Sequence, residues 1–121
     1  MALINLATAS YHLGRDEDAA RYAVEAIDVG PEVADMETIA LLVLAGVQVR
    51  RGDLMRAATL LGASEGLRKA IGYRFEPTER AVEDRVIADF GDWFSEPDVA
   101  AAHRRGRALD PEAAKGLVFE G

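Results

Sequence analysis

Residues 3–27 read LINLATASYHLGRDEDAARYAVEAI, and this stretch decides the fold. Apolar residues recur three and four positions apart on both sides of Gly14, which is the spacing of one face of an α-helix. Gly14 is suited to end the first helix, because glycine adopts the left-handed conformation of a helix C-terminus at little cost. The carboxylates of Asp16, Glu17 and Asp18 suit the positive end of a second helix. The stretch therefore predicts two helices joined by a tight glycine turn.

The same alternation of helical patterns with glycine or proline continues along the chain, and no convincing strand pattern interrupts it. Twenty-two alanines also favour helix. The second helix is expected to end at Gly30-Pro31, the third to run from about Asp35 to Arg51, and the fourth to run from Asp53 to about Ile71 before Gly72. Three more helices are expected. The fifth has Pro77 in its first turn and a spine of Val82, Val86 and Phe90. The sixth begins with a capping box at Ser95-Glu96-Pro97-Asp98 and ends near Gly106, and the seventh is capped by Asp110-Pro111 and ends near Phe119.

Length and composition limit the classes of protein that this chain can form. Its 121 residues allow one domain, since domains average about 150 residues. Fourteen basic and 21 acidic residues give a formal net charge of −7, which repels nucleic acid and anionic lipid. Without cysteine there is no disulfide, thiolate nucleophile or cysteine-ligated zinc. No apolar run approaches the roughly 18 residues of a membrane span, and no signal peptide begins the chain. We therefore expect a soluble, cytoplasmic all-α domain that binds neither nucleic acid nor membrane.

A repeat becomes visible when the chain is compared with itself at an offset of 38 residues. The turn glycine recurs, with Gly14 matching Gly52, and small residues follow five and six positions later in both copies. This combination fits two antiparallel helices that approach closely where small side chains face each other. The other matching pairs are Leu3 and Leu41, Leu6 and Leu44, Ala7 and Ala45, Ala19 and Ala57, and Ala20 and Ala58.

The first copy resembles a tetratricopeptide repeat (TPR), in which antiparallel helix pairs stack into a right-handed array. The resemblance lies in LATASYHLG at residues 6–14, followed by Ala19, Ala23, Ala26 and Pro31. It implies that residues 1–72 form two degenerate TPR-like hairpins and that residues 73–121 form the capping helices of the same domain. The helical pattern begins at Leu3 with no capping residue before it, which favours a piece of a longer polypeptide.

A second resemblance covers about residues 53–118. It lies in RAATLLGASEGLR at residues 56–68, PTER at residues 77–80, GRAL at residues 106–109 and EAA at residues 112–114. These segments are similar to the C-terminal tail of a family of large bacterial regulators. In that family, TPR-like repeats follow a signalling ATPase module, and many members also carry a DNA-binding domain of the LuxR or winged-helix type. Val99 and His103 stand where that tail usually has Phe and Trp. The resemblance implies a non-catalytic protein–protein interaction or scaffolding module of a transcriptional regulator.

No pattern of residues nominates a catalytic, cofactor or metal site. The phosphate-binding patterns G-x-x-x-x-G-K-[ST] and G-x-G-x-x-G are absent. His12 and His103 lie on different predicted helices, and neither belongs to an H-E-x-x-H pattern. Asp16, Glu17 and Asp18 could serve acid–base chemistry, but the helix dipole explains their position better. We therefore predict that the chain is not an enzyme and holds no cofactor or metal.

Two features leave ligand binding open as an alternative. Five of the eight aromatic residues fall between residues 73 and 94 and could enclose an apolar effector near Trp93. Their helical spacing favours closure of the core instead. The basic run of Arg104, Arg105 and Arg107 could contact phosphate, although such a run on an acidic protein is more often a solvated face or a set of ion-pair partners. An effector-sensing helical domain is therefore the alternative to an interaction module.

The resemblance to TPR arrays also implies a groove, lined by the exposed side of the inner helix of each repeat. Its ligand would be an extended or helical peptide, or another domain of the parent protein. Alternatively, the same residues pack on upstream repeats or on the C-terminal helices, because two repeats fall below the roughly three needed for a stable stack. The groove residues are Ile4, Thr8, Tyr11, His12, Ile39, Leu42, Val49 and Arg50.

The first helix offers a second interaction surface. If no repeat precedes it, it exposes an apolar side that a second copy of the chain could cover. A homodimer through the first helix is therefore a further expectation.

Ala57 provides a test of the repeat assignment. Replacing it by Leu inserts a bulky side chain at the expected helix crossing, and overpacking there lowers the free energy of unfolding by about 1 to 3 kcal/mol. Thermal unfolding followed by circular dichroism measures the change. An unchanged melting temperature would contradict the assignment.

Overall fold

The computed structural model describes residues 3–29 and 34–119, and it confirms the predicted all-α class. None of the described residues lies in a strand. No helix within these two ranges is both long enough and apolar enough to cross a membrane. The helices are α1 (Leu3–His12), α2 (Asp16–Val29), α3 (Ala34–Arg50), α4 (Leu54–Ile71), α5 (Pro77–Phe90), α6 (Pro97–Arg107) and α7 (Pro111–Gly116), with short 3₁₀ helices at Gly91–Ser95 and Leu117–Phe119.

The turns after α1 and α3 have the same geometry, as the repeat predicts. Gly14 and Gly52 adopt left-handed φ angles of 77° and 84°. In each turn the glycine N–H and the next N–H both donate back to the end of the preceding helix, which is the Schellman arrangement of a helix C-terminus. These bonds are Gly14 to Tyr11 (3.1 Å) and Arg15 to Ser10 (2.8 Å), and Gly52 to Val49 (3.0 Å) and Asp53 to Gln48 (3.0 Å).

Most of the other predicted helix ends also agree with the structure. Gly72 ends α4 with a φ of 71°, and the Asp110 carboxylate caps α7 by accepting the N–H of Ala113 at 2.8 Å. The predicted end of α2 at Gly30-Pro31 lies outside the described residues. The capping box predicted at Ser95 is wrong, because Ser95 belongs to a 3₁₀ helix and α6 begins at Pro97 after Glu96.

Helix α3 lies at the centre of the fold. Every residue from 39 to 47 is buried, so this part of the helix has no polar face. A helix that is apolar all round is stable only when neighbours cover every side. Helices α1, α2, α4 and α5 all pack against α3 and supply this cover.

Helices α4 and α6 pack closely along each other, and three glycines make the close approach possible. A Cβ atom on Gly62 would overlap the carbonyl oxygen of His103, and one on Gly106 would overlap the carbonyl oxygen of Thr59. A Cβ atom on Gly66 would lie 2.5 Å from the carbonyl oxygen of the last residue of α6. The two backbones therefore touch, and any larger residue at these positions must push the helices apart.

The remaining helices cover the two hairpins. Helix α5 packs across α1 and α3 with Val82, Val86 and Phe90 buried, which confirms its predicted spine. Helix α7 packs on α4, and the 3₁₀ helix Leu117–Phe119 packs on α2 and α3. The C-terminal third of the chain thus closes both sides of the central helix.

The glycine contact between α4 and α6 predicts an unequal effect of two identical substitutions. Gly106→Ala places a methyl group against the backbone of α4 and should lower the free energy of unfolding by about 1 to 3 kcal/mol through overpacking. Gly116→Ala is the matched control, because a Cβ at Gly116 meets no atom within 4 Å. Urea unfolding of both variants measures the difference. Equal stability of the two variants would contradict a backbone contact at Gly106.

Candidate functional site

The structure brings α1 and α3 together as expected, but α5 packs across the side where the groove was predicted. Tyr11 and Leu42 are fully buried within the described residues. These placements agree with the alternative in which the groove residues pack on the C-terminal helices. Of the predicted groove residues, Ile4, Ile39 and Val49 are also buried, and Thr8, His12 and Arg50 are half-buried.

Tyr11 is the residue around which α1, α3 and α5 meet. A Cβ atom on Gly46 would lie 2.6 Å from Cζ of the Tyr11 ring, so the absence of a side chain at Gly46 creates the space for the ring. The Tyr11 hydroxyl donates a hydrogen bond to the Asp89 carboxylate on α5 at 3.2 Å. Burial raises the pKa of the Tyr11 hydroxyl well above its ordinary value. The phenol therefore stays protonated, and remains a hydrogen-bond donor to Asp89, at alkaline pH values where an exposed tyrosine would ionise.

Arg50 joins this cluster to the turn between α1 and α2. Its guanidinium carbon lies 3.9 Å from the centre of the Tyr11 ring, and its Nη1 donates to the Tyr11 carbonyl oxygen at 2.9 Å. The same nitrogen donates to Asp16 at 2.7 Å, and Nε lies 3.5 Å from Asp89. One guanidinium thus contacts the end of α1, the start of α2 and the side of α5. These contacts hold α5 in place over the predicted groove.

A small recess is what remains of the groove beside the start of α5. Ile4, Thr8 and Ile39 line it from α1 and α3, and Glu76 and Glu79 line it from the other side. Its volume is about 100 Å³, below the roughly 300 Å³ at which ligand pockets begin. The recess is therefore too small for a peptide segment.

The outer side of α1 is the exposed edge of the repeat. Leu13 is 70% exposed, and Leu6 is half-buried. The residue equivalent to Leu6 in the second copy is Leu44, which is only 8% exposed. Residues 6 and 44 occupy the same place in the repeat, but the two side chains have different neighbours.

Helix α2 and the 3₁₀ helix Leu117–Phe119 both pack on α3. Leu44 lines a recess together with Ala20 and Val24 of α2 and with Leu60, Val118 and Phe119. Among the described residues, α1 packs against α2, α3 and α5. The surface that corresponds to a helix-packing face in the second copy is thus open in the first.

The aromatic region differs in part from its prediction. Phe94 lies between the rings of Phe90 and His103, at centroid distances of 5.1 and 5.0 Å. Closure of the core is confirmed for Phe90, which is fully buried. The predicted burial is wrong for Trp93, which lies in the 3₁₀ helix between α5 and α6 and is 59% exposed.

His103 and the neighbouring arginines have identifiable partners or face solvent. His103 Nε2 lies 3.0 Å from Oε2 of Glu65 on α4, and Nε of Arg107 lies 3.7 Å from the same carboxylate. Arg104 and Arg105 are exposed. Across residues 3–29 and 34–119, no three His, Asp or Glu side chains come together as metal ligands would. The His103 contact therefore joins α4 to α6.

No protein-family model, curated protein or solved structure matches this chain. Neither Asp89 nor Gly46 was among the residues predicted from the sequence to be important. A glycine within an apolar helical run can indicate a close approach, so Gly46 carried a usable signal. Asp89 carried none, because its partner Tyr11 lies 78 positions away in the chain.

Arg50→Lys tests whether the guanidinium holds the helices together. Lysine keeps the charge but cannot reproduce the planar group that stacks on Tyr11 and bonds to two acceptors. We expect the free energy of unfolding to fall by about 1 to 3 kcal/mol, the range for hydrogen bonds to charged groups. The adjacent Arg51→Lys, at an exposed position, is the matched control. Chemical unfolding would contradict this assignment if both variants retained the stability of the parent chain.

Proposed function

We propose that the chain is a non-catalytic protein–protein interaction module built from TPR-like helical hairpins. The matching turns at Gly14 and Gly52 and the resemblance of residues 6–31 to the repeat support a right-handed stack of hairpins. The resemblance of residues 53–118 supports a place in the C-terminal region of a cytoplasmic bacterial transcriptional regulator.

The observation that carries the proposal is the difference between Leu6 and Leu44. Leu44 is only 8% exposed, while the equivalent Leu6 is half-buried and the nearby Leu13 is 70% exposed. Helical repeats stack because a single hairpin cannot bury its apolar face alone. The matching cover for α1 is therefore another helical hairpin, supplied by a second copy of the chain or by a preceding repeat of a parent protein.

The edge of α1 is a better candidate surface than the predicted groove. Helix α5 covers the groove, and Arg50 and Asp89 hold that helix in place. A peptide would have to displace α5 and break these contacts before it could bind. The edge needs no such rearrangement, and Leu6 and Leu13 offer apolar side chains there.

The effector-sensing alternative has weaker support. Trp93 points largely to solvent, and Phe94 is already packed between two rings. An enclosed apolar ligand would need these side chains to line a cavity. We therefore favour the interaction module.

Sedimentation equilibrium across a hundredfold range of protein concentration tests the proposal. We expect the parent chain to dimerise and both Leu6→Glu and Leu13→Glu to weaken the dimer by more than about tenfold, because a carboxylate would be buried in an apolar interface. Leu13 is the more exposed residue, so its variant should keep the fold if Leu6→Glu does not. Circular dichroism checks that each variant is folded.

Ile87→Glu is the matched control, because Ile87 is an apolar residue that is 44% exposed on a different helix, α5. It should dimerise as the parent chain does. A parent chain that stays monomeric throughout the range would contradict self-association at this edge. Equal weakening of the dimer by all three variants would show that the added negative charge acts wherever it is placed. That result would contradict a dimer interface at α1.

A further inference from the structure

A cleft of about 580 Å³ lies where α4 and α6 end. Gly66 and Gly72 form part of its wall, and Tyr73 lies on the segment that leaves α4. The volume falls within the roughly 300 to 1,000 Å³ of small-molecule sites. Unlike the recess beside α5, this cleft can accommodate a ligand.

The cleft is basic although the protein is acidic. Arg68, Lys69, Arg74 and Arg107 line it, and Glu65 is the one carboxylate among its lining residues. The lining residues therefore carry an excess of three positive charges, or two when Glu83, the partner of Arg68, is counted, on a chain whose formal net charge is −7. A local excess of one sign in a concave surface raises the concentration of oppositely charged ligands there.

Two of these cations are held in place, at least in part, by other side chains. Arg68 pairs with Glu83 at 3.1 Å, and its guanidinium carbon lies 4.1 Å from the centre of the Phe75 ring. Arg107 lies 3.7 Å from the Glu65 carboxylate. Because their positions are already restricted, these groups lose less conformational entropy when they bind a ligand.

The other two cations have no counter-charge. Lys69 and Arg74 are exposed, and neither makes an ion pair with any residue in the described part of the chain. The helix dipole favours cations in the last turn of α4, which accounts for Lys69 but not for Arg74, because Arg74 follows the helix end. The carbonyl oxygens of Arg68 and Lys69 already accept the N–H groups of Tyr73 and Gly72. Lys69 and Arg74 are therefore available to a ligand.

We propose that this cleft binds a small soluble compound that carries two or more phosphate groups. Guanidinium groups bind phosphate oxygens through paired N–H donors, and an ammonium group adds a mobile point charge. Several cations in one cleft favour an anion with several charges over a single carboxylate. The net negative charge of the rest of the chain opposes a long polyanion such as nucleic acid, which would extend beyond the cleft.

Calorimetric titration of the full chain with inorganic pyrophosphate at low ionic strength tests this proposal. We expect saturable binding that weakens as salt is added. The double variant Lys69→Gln/Arg74→Gln should bind at least about tenfold more weakly, because it loses the two available cations. Both residues are exposed, so the variant should keep the parent fold.

The control is Arg15→Gln/Arg51→Gln, which removes the same charge from exposed positions outside the cleft lining, and Arg51 lies just before α4 begins, at the opposite end of that helix from Lys69. At an ionic strength of about 0.15 M, its affinity for pyrophosphate should stay within about twofold of that of the parent chain, because exposed charges farther away than the Debye length of about 8 Å are largely screened. Amide chemical shifts of Gly66 and Gly72 should move during the titration. No binding by the parent chain, or equal losses in the two double variants, would overturn the proposal.

Vesicles of phosphatidylcholine and phosphatidylglycerol distinguish a soluble phosphate compound from a lipid headgroup. We expect no co-sedimentation of the chain with these vesicles, because its net charge of −7 repels an anionic surface. Co-sedimentation that depends on Lys69 and Arg74 would assign the cleft to a membrane surface and overturn the proposal of a soluble ligand.

Discussion

The burial of α3 on every side constrains the rest of the structure. From residue 39 to residue 47 this helix has no side that tolerates water, so four other helices must surround it. The two hairpins alone cover α3 with α1, α2 and α4. Helix α5 covers the side of α3 that the two hairpins leave exposed. The predicted groove would have lain on that same side. The closed groove is thus a consequence of the apolar sequence of α3.

The two surfaces singled out above differ in chemistry because they differ in their place in the fold. The outer side of α1 is apolar because it has the sequence of a packing face, with no hairpin against it among the described residues. The cleft beside Lys69 and Arg74 is charged because it lies where α4 and α6 end and the chain turns away. The first surface suits a helical protein partner and the second suits a small anion. The proposed module would then carry two separate binding surfaces.

Local features of the fold were predictable from the sequence, and long-range features were not. Gly14, Gly52 and Gly72 mark their helix ends because a left-handed turn strongly favours glycine, wherever the rest of the chain lies. The hydrogen bond from Tyr11 to Asp89 joins residues 78 positions apart, and no local spacing encodes it. The close contacts of Gly62 and Gly106 were not predicted, because each glycine touches the backbone of a different helix about 40 positions away in the chain. The predicted burial of Trp93 rested on α-helical spacing, whereas Trp93 lies in a 3₁₀ helix none of whose residues is buried.

The position of α5 in the chain has a consequence for synthesis. A chain made from its N-terminus completes α1, α2, α3 and α4 before α5 has formed. During that interval the sides of α1 and α3 that α5 later covers are exposed to water, and Tyr11 has no Asp89 to accept its hydrogen bond. Transiently exposed apolar surface of this kind promotes aggregation and recruits chaperones. The nascent chain therefore passes through a stage in which its groove is open. The groove closes when the C-terminal part of the chain has been made and α5 packs over it.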